Sequence, residues 1–144
     1  MKYSPVQNYI GGQFVPPSTK RTLPVISPLD GTLLSTVPLS TAKDLDDAVK
    51  AAKAAFPAWS RMPVKERVQV FFRYKYLLEK NLKELAEGIQ EENGKTYDEA
   101  VAEVEKSIEL TELACSLPQL ITGEVLEVSK GVECRTEHVP LGVV

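Results

Sequence analysis

The spacing of apolar residues between positions 41 and 118 constrains the fold more than any other feature of this 144-residue chain. Apolar side chains recur there every three or four positions, which places them on one face of a helix. Such a face is stable only when it is buried against another element, so the segment predicts several helices packed together. The first stripe consists of Leu45, Ala48, Val49, Ala52, Ala55 and Phe56.

The first helix is predicted to begin after Ser40 or Thr41, because either hydroxyl can cap a helix N terminus. Asp44 lies in its first turn, where a carboxylate interacts favourably with the helix dipole. Pro57 lacks a backbone donor and is predicted to end this helix. Trp59 is then expected to pack between this helix and the next one.

A second helical stretch is predicted to begin at Pro63, since proline suits the first turn of a helix. It continues to Glu92, roughly thirty residues, which is long for a globular helix. Asn81 is followed by Glu84 at the spacing of a capping box. We therefore expect a break at Asn81 that divides the stretch into two helices.

The last predicted helix has clear signals at both ends. Gly94 is typical of a helix C terminus, because glycine readily adopts the left-handed conformation found there. Thr96 and Glu99 form a capping-box pattern that opens the next helix, and Pro118 is predicted to close it. Its apolar stripe contains Val101, Val104, Ile108 and Cys115.

Short β-hairpins are predicted at both ends of the chain. Turn signals at residues 11–12 and 30–31 lie between short apolar arms and indicate two hairpins within the first forty residues. Residues 125–138 alternate around Gly131 and indicate a third hairpin, and residues 141–144 are typical of a final, incomplete strand. The segment is therefore predicted to be α+β, mostly helical, and because it ends on this apolar run we expect it to belong to a longer protein.

Composition excludes several classes of function. The net charge of −3 gives no electrostatic reason to expect a nucleic acid partner. No apolar run reaches the ~20 residues that a membrane-spanning helix needs, so we expect no membrane partner. The first ten residues show no secretory pattern, and two cysteines are too few for a disulfide framework, so a cytoplasmic location is expected.

The residues alone show no complete active site. Cys115 lies on the apolar side of a predicted helix and Cys134 in an alternating strand, and both positions are typical of structural cysteines. His138 has no neighbouring pattern that would make it a general base, and with Cys134 it offers too few ligands for structural zinc. Residues 94–96 resemble the end of a P-loop but lack the first glycine of that motif. We therefore predict no catalytic, cofactor-binding or metal-ligating residue in this chain.

Several segments in order carry a family resemblance. Residues 9–15 look like a first hairpin, 27–38 like a strand turn, and 44–59 like a long helix. Residues 92–95 fit an "E-x-G-K" stop and residues 140–144 a "P-x-G-V-V" strand entry. In this order they resemble the N-terminal portion of the NAD(P)-dependent aldehyde dehydrogenase superfamily, which usually has an arginine at the position of Arg67. Further similarities to the branch of CoA-acylating methylmalonate-semialdehyde dehydrogenases are Glu92-Asn93-Gly94-Lys95, Glu103-Val104, Ala114-Cys115-x-x-Pro118 and Gly123-Glu124.

The resemblance implies an α/β parent protein that oxidises an aldehyde through a cysteine thioester, with NAD as cofactor and CoA as a candidate co-substrate. It implies that residues 1–118 form the N-terminal helical part of the cofactor-binding domain and residues 119–139 an oligomerisation hairpin. Residues 140–144 would begin the first strand of the dinucleotide-binding sheet, and residues 125–144 would join subunits of a homo-oligomer. The family's catalytic residues lie beyond this chain, so the isolated 144-residue chain is expected to be inactive.

Lys106 is the single candidate for a substrate-binding residue. The resembling branch typically has an arginine here, which is implied to face the carboxylate of the substrate. Lysine keeps the charge but loses the bidentate geometry of arginine, so the substrate of this protein could differ. The alternative is that Lys106 is a solvated lysine on a helix surface.

Two other classes of function stay open at this point. The chain could be a non-catalytic structural or interaction fragment, or a small helical binding domain with a coincidental likeness to the family. The coding sequence beyond Val144 distinguishes them, because the enzyme requires several hundred further residues and the other two classes do not.

Overall fold

A computed structural model describes all 144 residues of the chain. Antiparallel hairpins lie at both ends and helices occupy the middle, so the predicted α+β organisation is confirmed. The strands are β1 Asn8–Ile10, β2 Gln13–Val15, β3 Thr22–Ile26, β4 Leu33–Pro38, β5 Glu124–Ser129 and β6 Val132–Thr136. The helices are α1 Ala42–Arg61, α2 Val64–Arg67, α3 Gln69–Lys80, α4 Leu82–Asn93, α5 Tyr97–Cys115 and α6 Leu117–Leu120.

The two N-terminal hairpins form at the predicted turns. β1 and β2 are joined by Gly11 and Gly12, whose φ angles are +60° and +83°, values that glycine adopts without a steric cost. β3 pairs with β4 in the same antiparallel manner. The first residues of the chain then run along β4, where the backbone N–H of Val6 donates to the carbonyl of Thr36 at 2.9 Å.

The apolar core lies where α5 packs against α3 and α4. Ala86 of α4 and Ala100 of α5 are fully buried, and Val104 is nearly so. Because alanine has no side-chain atom beyond Cβ, these positions let the two helices approach closely. The partly buried residues around this cluster are Leu82, Ile89, Tyr97, Val101 and Ile108.

Gly94 ends α4 as predicted. It lies in the left-handed region with φ +75°, and its N–H donates to the carbonyl of Gln90 at 2.8 Å. A Cβ atom at this position would lie 2.8 Å from Cγ of Pro28. Gly94 therefore does two things, since it ends the helix and lets the turn between β3 and β4 approach it closely.

The prediction that Pro57 ends the first helix is wrong. α1 continues through Pro57 to Arg61. Pro57 is exposed, so water can hydrogen-bond the carbonyl of Lys53, which loses its intrahelical donor. Trp59 therefore lies within the helix and is 42% exposed, and the prediction that it is packed between two helices is also wrong.

The stretch from Pro63 to Asn93 contains three helices instead of two. The break at Asn81 is confirmed, and an additional break lies at Val68. The capping box expected at Asn81 is absent, because its Nδ2 donates backwards to the carbonyl of Leu77 at 2.8 Å. Its φ and ψ of −108° and 17° also lie outside the extended region typical of a helix N-cap.

The prediction that Pro118 closes the preceding helix is wrong by about one turn. α5 ends at Cys115, and Pro118 lies in the first turn of α6. Proline is tolerated there because a first-turn N–H has no intrahelical acceptor to lose.

β5 and β6 form the predicted C-terminal hairpin around Gly131. Every residue from Pro118 to Val144 is exposed. Residues 137–144 form no strand, so the final strand expected at 141–144 is absent from this chain, which offers it no neighbouring strand to pair with. The wider assignment of residues 140–144 to a dinucleotide-binding sheet stays a prediction. None of the helices is both long enough and apolar enough to cross a membrane.

Candidate functional site

Helix α5 positions the one candidate substrate-binding residue, Lys106. Its N terminus is held by the predicted capping box, which is confirmed. The backbone N–H of Thr96 donates to Oε2 of Glu99 at 3.0 Å, and the N–H of Glu99 donates to Oγ1 of Thr96 at 3.3 Å. The Thr96 hydroxyl also donates to this carboxylate, and these bonds hold the pKa of Glu99 below its ordinary value.

Lys106 lies on the solvent side of α5. The buried side of the same helix is formed by Ala100, Val104 and Thr111. The side chain of Lys106 is 67% exposed, and its Nζ lies 2.6 Å from Oε2 of Glu109. In this structure the ammonium therefore already has a carboxylate partner, one helical turn further along.

A shallow groove of about 360 Å³ runs beside Lys106. Both lysines that line it are engaged by carboxylates, Lys95 with Glu103 and Lys106 with Glu109. The groove is therefore open to water, and each cation that it offers an anionic group already has a carboxylate partner. Its lining consists of Lys95, Glu99, Ala102, Glu103 and Lys106.

Asp44 forms the most extensive polar cluster on the chain. It is 8% exposed and accepts hydrogen bonds from the backbone N–H of Thr41 at 2.7 Å and from the N–H and Oγ of Ser18 at 2.9 and 2.7 Å. The bond from the Thr41 backbone, followed by those from Ser18, holds the pKa of Asp44 far below its ordinary value. The cluster joins the loop after β2 to the start of α1, which makes its role structural.

A second polar cluster forms around Glu91 of α4. Its carboxylate pairs with Lys2 and accepts a hydrogen bond from the hydroxyl of Tyr3 at 2.9 Å. The Lys2 and Tyr3 hydrogen bonds lower the pKa of Glu91. The Glu91 carbonyl also accepts a bond from Oγ of the buried Ser27 at 2.8 Å. Sequence spacing carries no signal for these contacts, because the partners are more than sixty positions apart.

The two cysteines and the histidine lie on three separate segments. Cys115 is half-buried in the last turn of α5, and Cys134 is exposed on β6 opposite Leu126. His138 is exposed beyond the end of β6. The polar clusters around Asp44 and Glu91 hold distant segments of the chain together.

The sequence model of the aldehyde dehydrogenase family matches residues 14–144. The chain belongs to this family. The resemblance drawn from the ordered segments is thereby confirmed, and the motif at residues 140–144 lies within the matched range.

The relatives with more specific names are malonate- and methylmalonate-semialdehyde dehydrogenases. The chain is 43% identical over 140 residues to malonate-semialdehyde dehydrogenase 1 of Geobacillus kaustophilus (strain HTA426), and this match covers 96% of the chain and 29% of that protein. It matches the crystal structure of the methylmalonate-semialdehyde dehydrogenase DddC from Oceanimonas doudoroffii with a TM-score of 0.89 at 34% identity, covering 96% of the chain and 28% of that structure.

A third match is a structure from Sinorhizobium meliloti 1021, described as a methylmalonate-semialdehyde dehydrogenase and solved with NAD bound. The TM-score is 0.85 at 32% identity, and the match covers 94% of the chain and 28% of that structure. The fold expected for the segment is therefore confirmed. The chain spans less than a third of the length of these relatives.

Proposed function

We propose that this chain is the N-terminal part of an NAD-dependent aldehyde dehydrogenase that oxidises a semialdehyde through a cysteine thioester. The observation that carries the proposal is the match to a malonate-semialdehyde dehydrogenase over 96% of the chain at 43% identity. The match to the NAD-bound structure at 32% identity supports NAD as the cofactor.

The surface of the chain supports a role as part of a larger protein. Leu110 and Leu113 of α5 are each 58% exposed. Nε of Arg67, at the position where the family usually has an arginine, is buried and has no hydrogen-bond acceptor. Apolar side chains and buried donors are stable only with partners, and further chain of the same enzyme would supply them.

Within that enzyme, we assign residues 1–118 to the helical part of the cofactor-binding domain and residues 119–139 to an oligomerisation hairpin. Residues 140–144 begin the first strand of the dinucleotide-binding sheet, and residues 125–144 contact a second subunit. An open sheet edge supports the last assignment, because unpaired strand edges readily add strands from other chains. We place the enzyme in the cytoplasm.

The proposed chemistry uses residues beyond this chain. A cysteine thiolate would attack the aldehyde, and the thiohemiacetal would pass its hydride to NAD to give a thioester. The CoA thiol would then take the acyl group and release the cysteine. No residue of the present chain is assigned to NAD or CoA. The contribution of this chain is structural, except at Lys106.

Lys106 is proposed to bind the carboxylate of the semialdehyde. It lies on an exposed helix surface beside a groove, so a small anion can reach it without disturbing the core. The single ammonium of lysine donates to one or two carboxylate oxygens but lacks the planar fork of arginine. Lysine therefore fixes the orientation of the substrate carboxylate less strictly than arginine does.

The proposed activity is tested with the full-length protein. NADH formation is measured with malonate semialdehyde, methylmalonate semialdehyde and an uncharged aldehyde of similar length, each with and without CoA. We expect turnover of a semialdehyde and a CoA-dependent acyl product detected by mass spectrometry. Absence of NADH with every aldehyde would favour the non-catalytic fragment, and turnover that yields only a free acid would remove CoA from the proposal.

Lys106 is tested by Lys106→Ala in the same enzyme. Loss of a charge-assisted hydrogen bond is worth about 1.5–3 kcal/mol, so we expect KM for the semialdehyde to rise by roughly tenfold or more. Lys83→Ala is the matched control, because it removes an exposed helix lysine with a distant glutamate partner at 3.9 Å. An equal rise in KM for charged and uncharged aldehydes would show that Lys106 is a surface lysine that does not bind the substrate carboxylate.

A further inference from the structure

We propose that Glu109 competes with the substrate carboxylate for Lys106 and thereby sets how strongly the enzyme prefers carboxylate-bearing aldehydes. This inference rests on the proposed function, in which Lys106 binds that carboxylate. Glu109 is then a positioning residue, because it acts on the substrate only through Lys106.

The geometry shows why Glu109 is the competitor. Its Oε2 lies 2.6 Å from Nζ of Lys106, across one turn of α5. Glu103 lies one turn in the other direction, but its carboxylate is engaged by Lys95. Glu109 is therefore the carboxylate that competes with an incoming anion for Lys106.

In this chain, both side chains of the pair are open to water. The side chains of Lys106 and Glu109 are 67% and 66% exposed. Exposed ion pairs of this kind are weak, because water screens the charges and both side chains lose rotamer freedom when they pair. Glu109 thus weakens binding of an anionic substrate by a modest factor without blocking it.

The groove offers the substrate carboxylate a place beside Lys106 when the pair of Lys106 and Glu109 is open. Lys95 and Lys106 both line it, and Lys95 keeps its own carboxylate partner when the other pair opens. A substrate carboxylate that replaces Glu109 at Lys106 forms a new ion pair and leaves the Glu109 carboxylate unpaired. An uncharged aldehyde makes no such exchange, so Glu109 affects the two substrate types differently.

The test is Glu109→Gln in the full-length enzyme, which removes the charge and keeps the size of the side chain. We expect the ratio of kcat/KM for a semialdehyde to that for an uncharged aldehyde to rise about two- to fivefold, as lower KM for the semialdehyde with little change in kcat. Glu105→Gln is the matched control, because Glu105 is an exposed glutamate of the same helix next to Lys106 in sequence. We expect it to leave the ratio unchanged.

Two further variants separate competition from other effects. Glu109→Asp keeps the charge and should stay closer to the unchanged enzyme than Glu109→Gln. In Lys106→Gln, the addition of Glu109→Gln should produce no further rise in the ratio. A rise that is equal in Glu105→Gln, or that persists without Lys106, would overturn the role of Glu109. The proposed function would still stand in that case, since it depends on turnover and on the effect of Lys106→Ala.

Discussion

The body of this chain, residues 1–121, and its tail, residues 122–144, reach stability in different ways. The body is held together by contacts between distant segments, such as Ser27 with the Glu91 carbonyl and Ser18 with Asp44. In the tail, β5 pairs only with β6, and every residue is exposed. A two-stranded hairpin that packs on nothing is marginally stable in water.

The difference teaches which apolar residues this chain can cover by itself. In the body, two small residues and Val104 form a buried crossing between α4 and α5. In the tail, Leu126 and Val132 are 64% and 51% exposed, although both lie on paired strands. The body thus carries part of a core, and the tail carries a surface that needs a partner.

The largest expected effect comes from deleting residues 122–144. The intact chain should self-associate through its apolar tail and at least double its apparent mass, because unpaired strand edges recruit other chains. The shortened chain should be a more soluble, largely helical monomer with a similar melting temperature, since the tail buries none of the body. Light scattering at several concentrations checks this, and a monodisperse monomer of the intact chain would contradict it.

A smaller effect is expected from matched glycine substitutions in the two regions. Gly94 in the body and Gly131 in the tail have nearly the same φ, +75° and +76°. The left-handed conformation alone should make Gly94→Ala lower the free energy of unfolding by about 1–2 kcal/mol. The added Cβ also meets Pro28 at 2.8 Å, so the total loss should be larger.

Gly131→Ala introduces the same backbone strain where no atom lies within 4 Å of the added Cβ. It should weaken the hairpin and leave unfolding of the helices unchanged. Urea unfolding followed by circular dichroism measures both variants. Equal losses of helix stability would show that the tail is coupled to the body after all.

The smallest effect is expected from Asp44→Asn, measured against pH. The pKa of Asp44 in the folded chain lies well below its ordinary value, so its contribution to stability is fully present above the pKa of the unfolded chain, about 3.9. That contribution is lost as the pH falls through the lower folded-state pKa. The variant should melt several degrees below the unchanged chain above about pH 5, and the gap should narrow below about pH 4.

Glu137→Gln in the tail is the control for this experiment. Its carboxylate lies 3.5 Å from the Arg135 guanidinium in a pair whose side chains are each 63% exposed, so its removal should change the melting temperature little at any pH. Thermal melts of the three chains across the acid range decide the question. A gap for Asp44→Asn that does not vary with pH would mean that shape, and not charge, holds this cluster together.

Local signals predicted most of the turns and helix ends. Gly94, Thr96 and the glycines at positions 11–12 each set a turn or a helix end within a few positions of themselves, so the local sequence contains that signal. The close approach of Pro28 to Gly94 lies outside it. The wrong predictions came from general rules for helix ends, which do not include the surroundings of a particular residue. α1 continues through the exposed Pro57, and Asn81 bonds backwards to Leu77 instead of capping α4.

The candidate site was predictable only in part. The position of Lys106 followed from the family resemblance, and a solvated place on the helix surface was the alternative that the sequence left open. Its partner Glu109 lies three positions after Lys106, but Glu103 lies three positions before it, so spacing alone did not select Glu109. The structure makes the selection, because Lys95 reaches across from before the helix and engages Glu103.

The sequence by itself determined the class of elements, their order and the family, because apolar period, turn residues and ordered motifs are all properties of short segments. The tertiary structure alone decided that Asp44 is bound by Ser18 and Glu91 by Lys2, pairs that are 26 and 89 positions apart. It also decided which apolar stripes become core and which stay open. The physical reason is that burial and long-range hydrogen bonds depend on where the packed helices bring the backbone, and no local pattern contains that information.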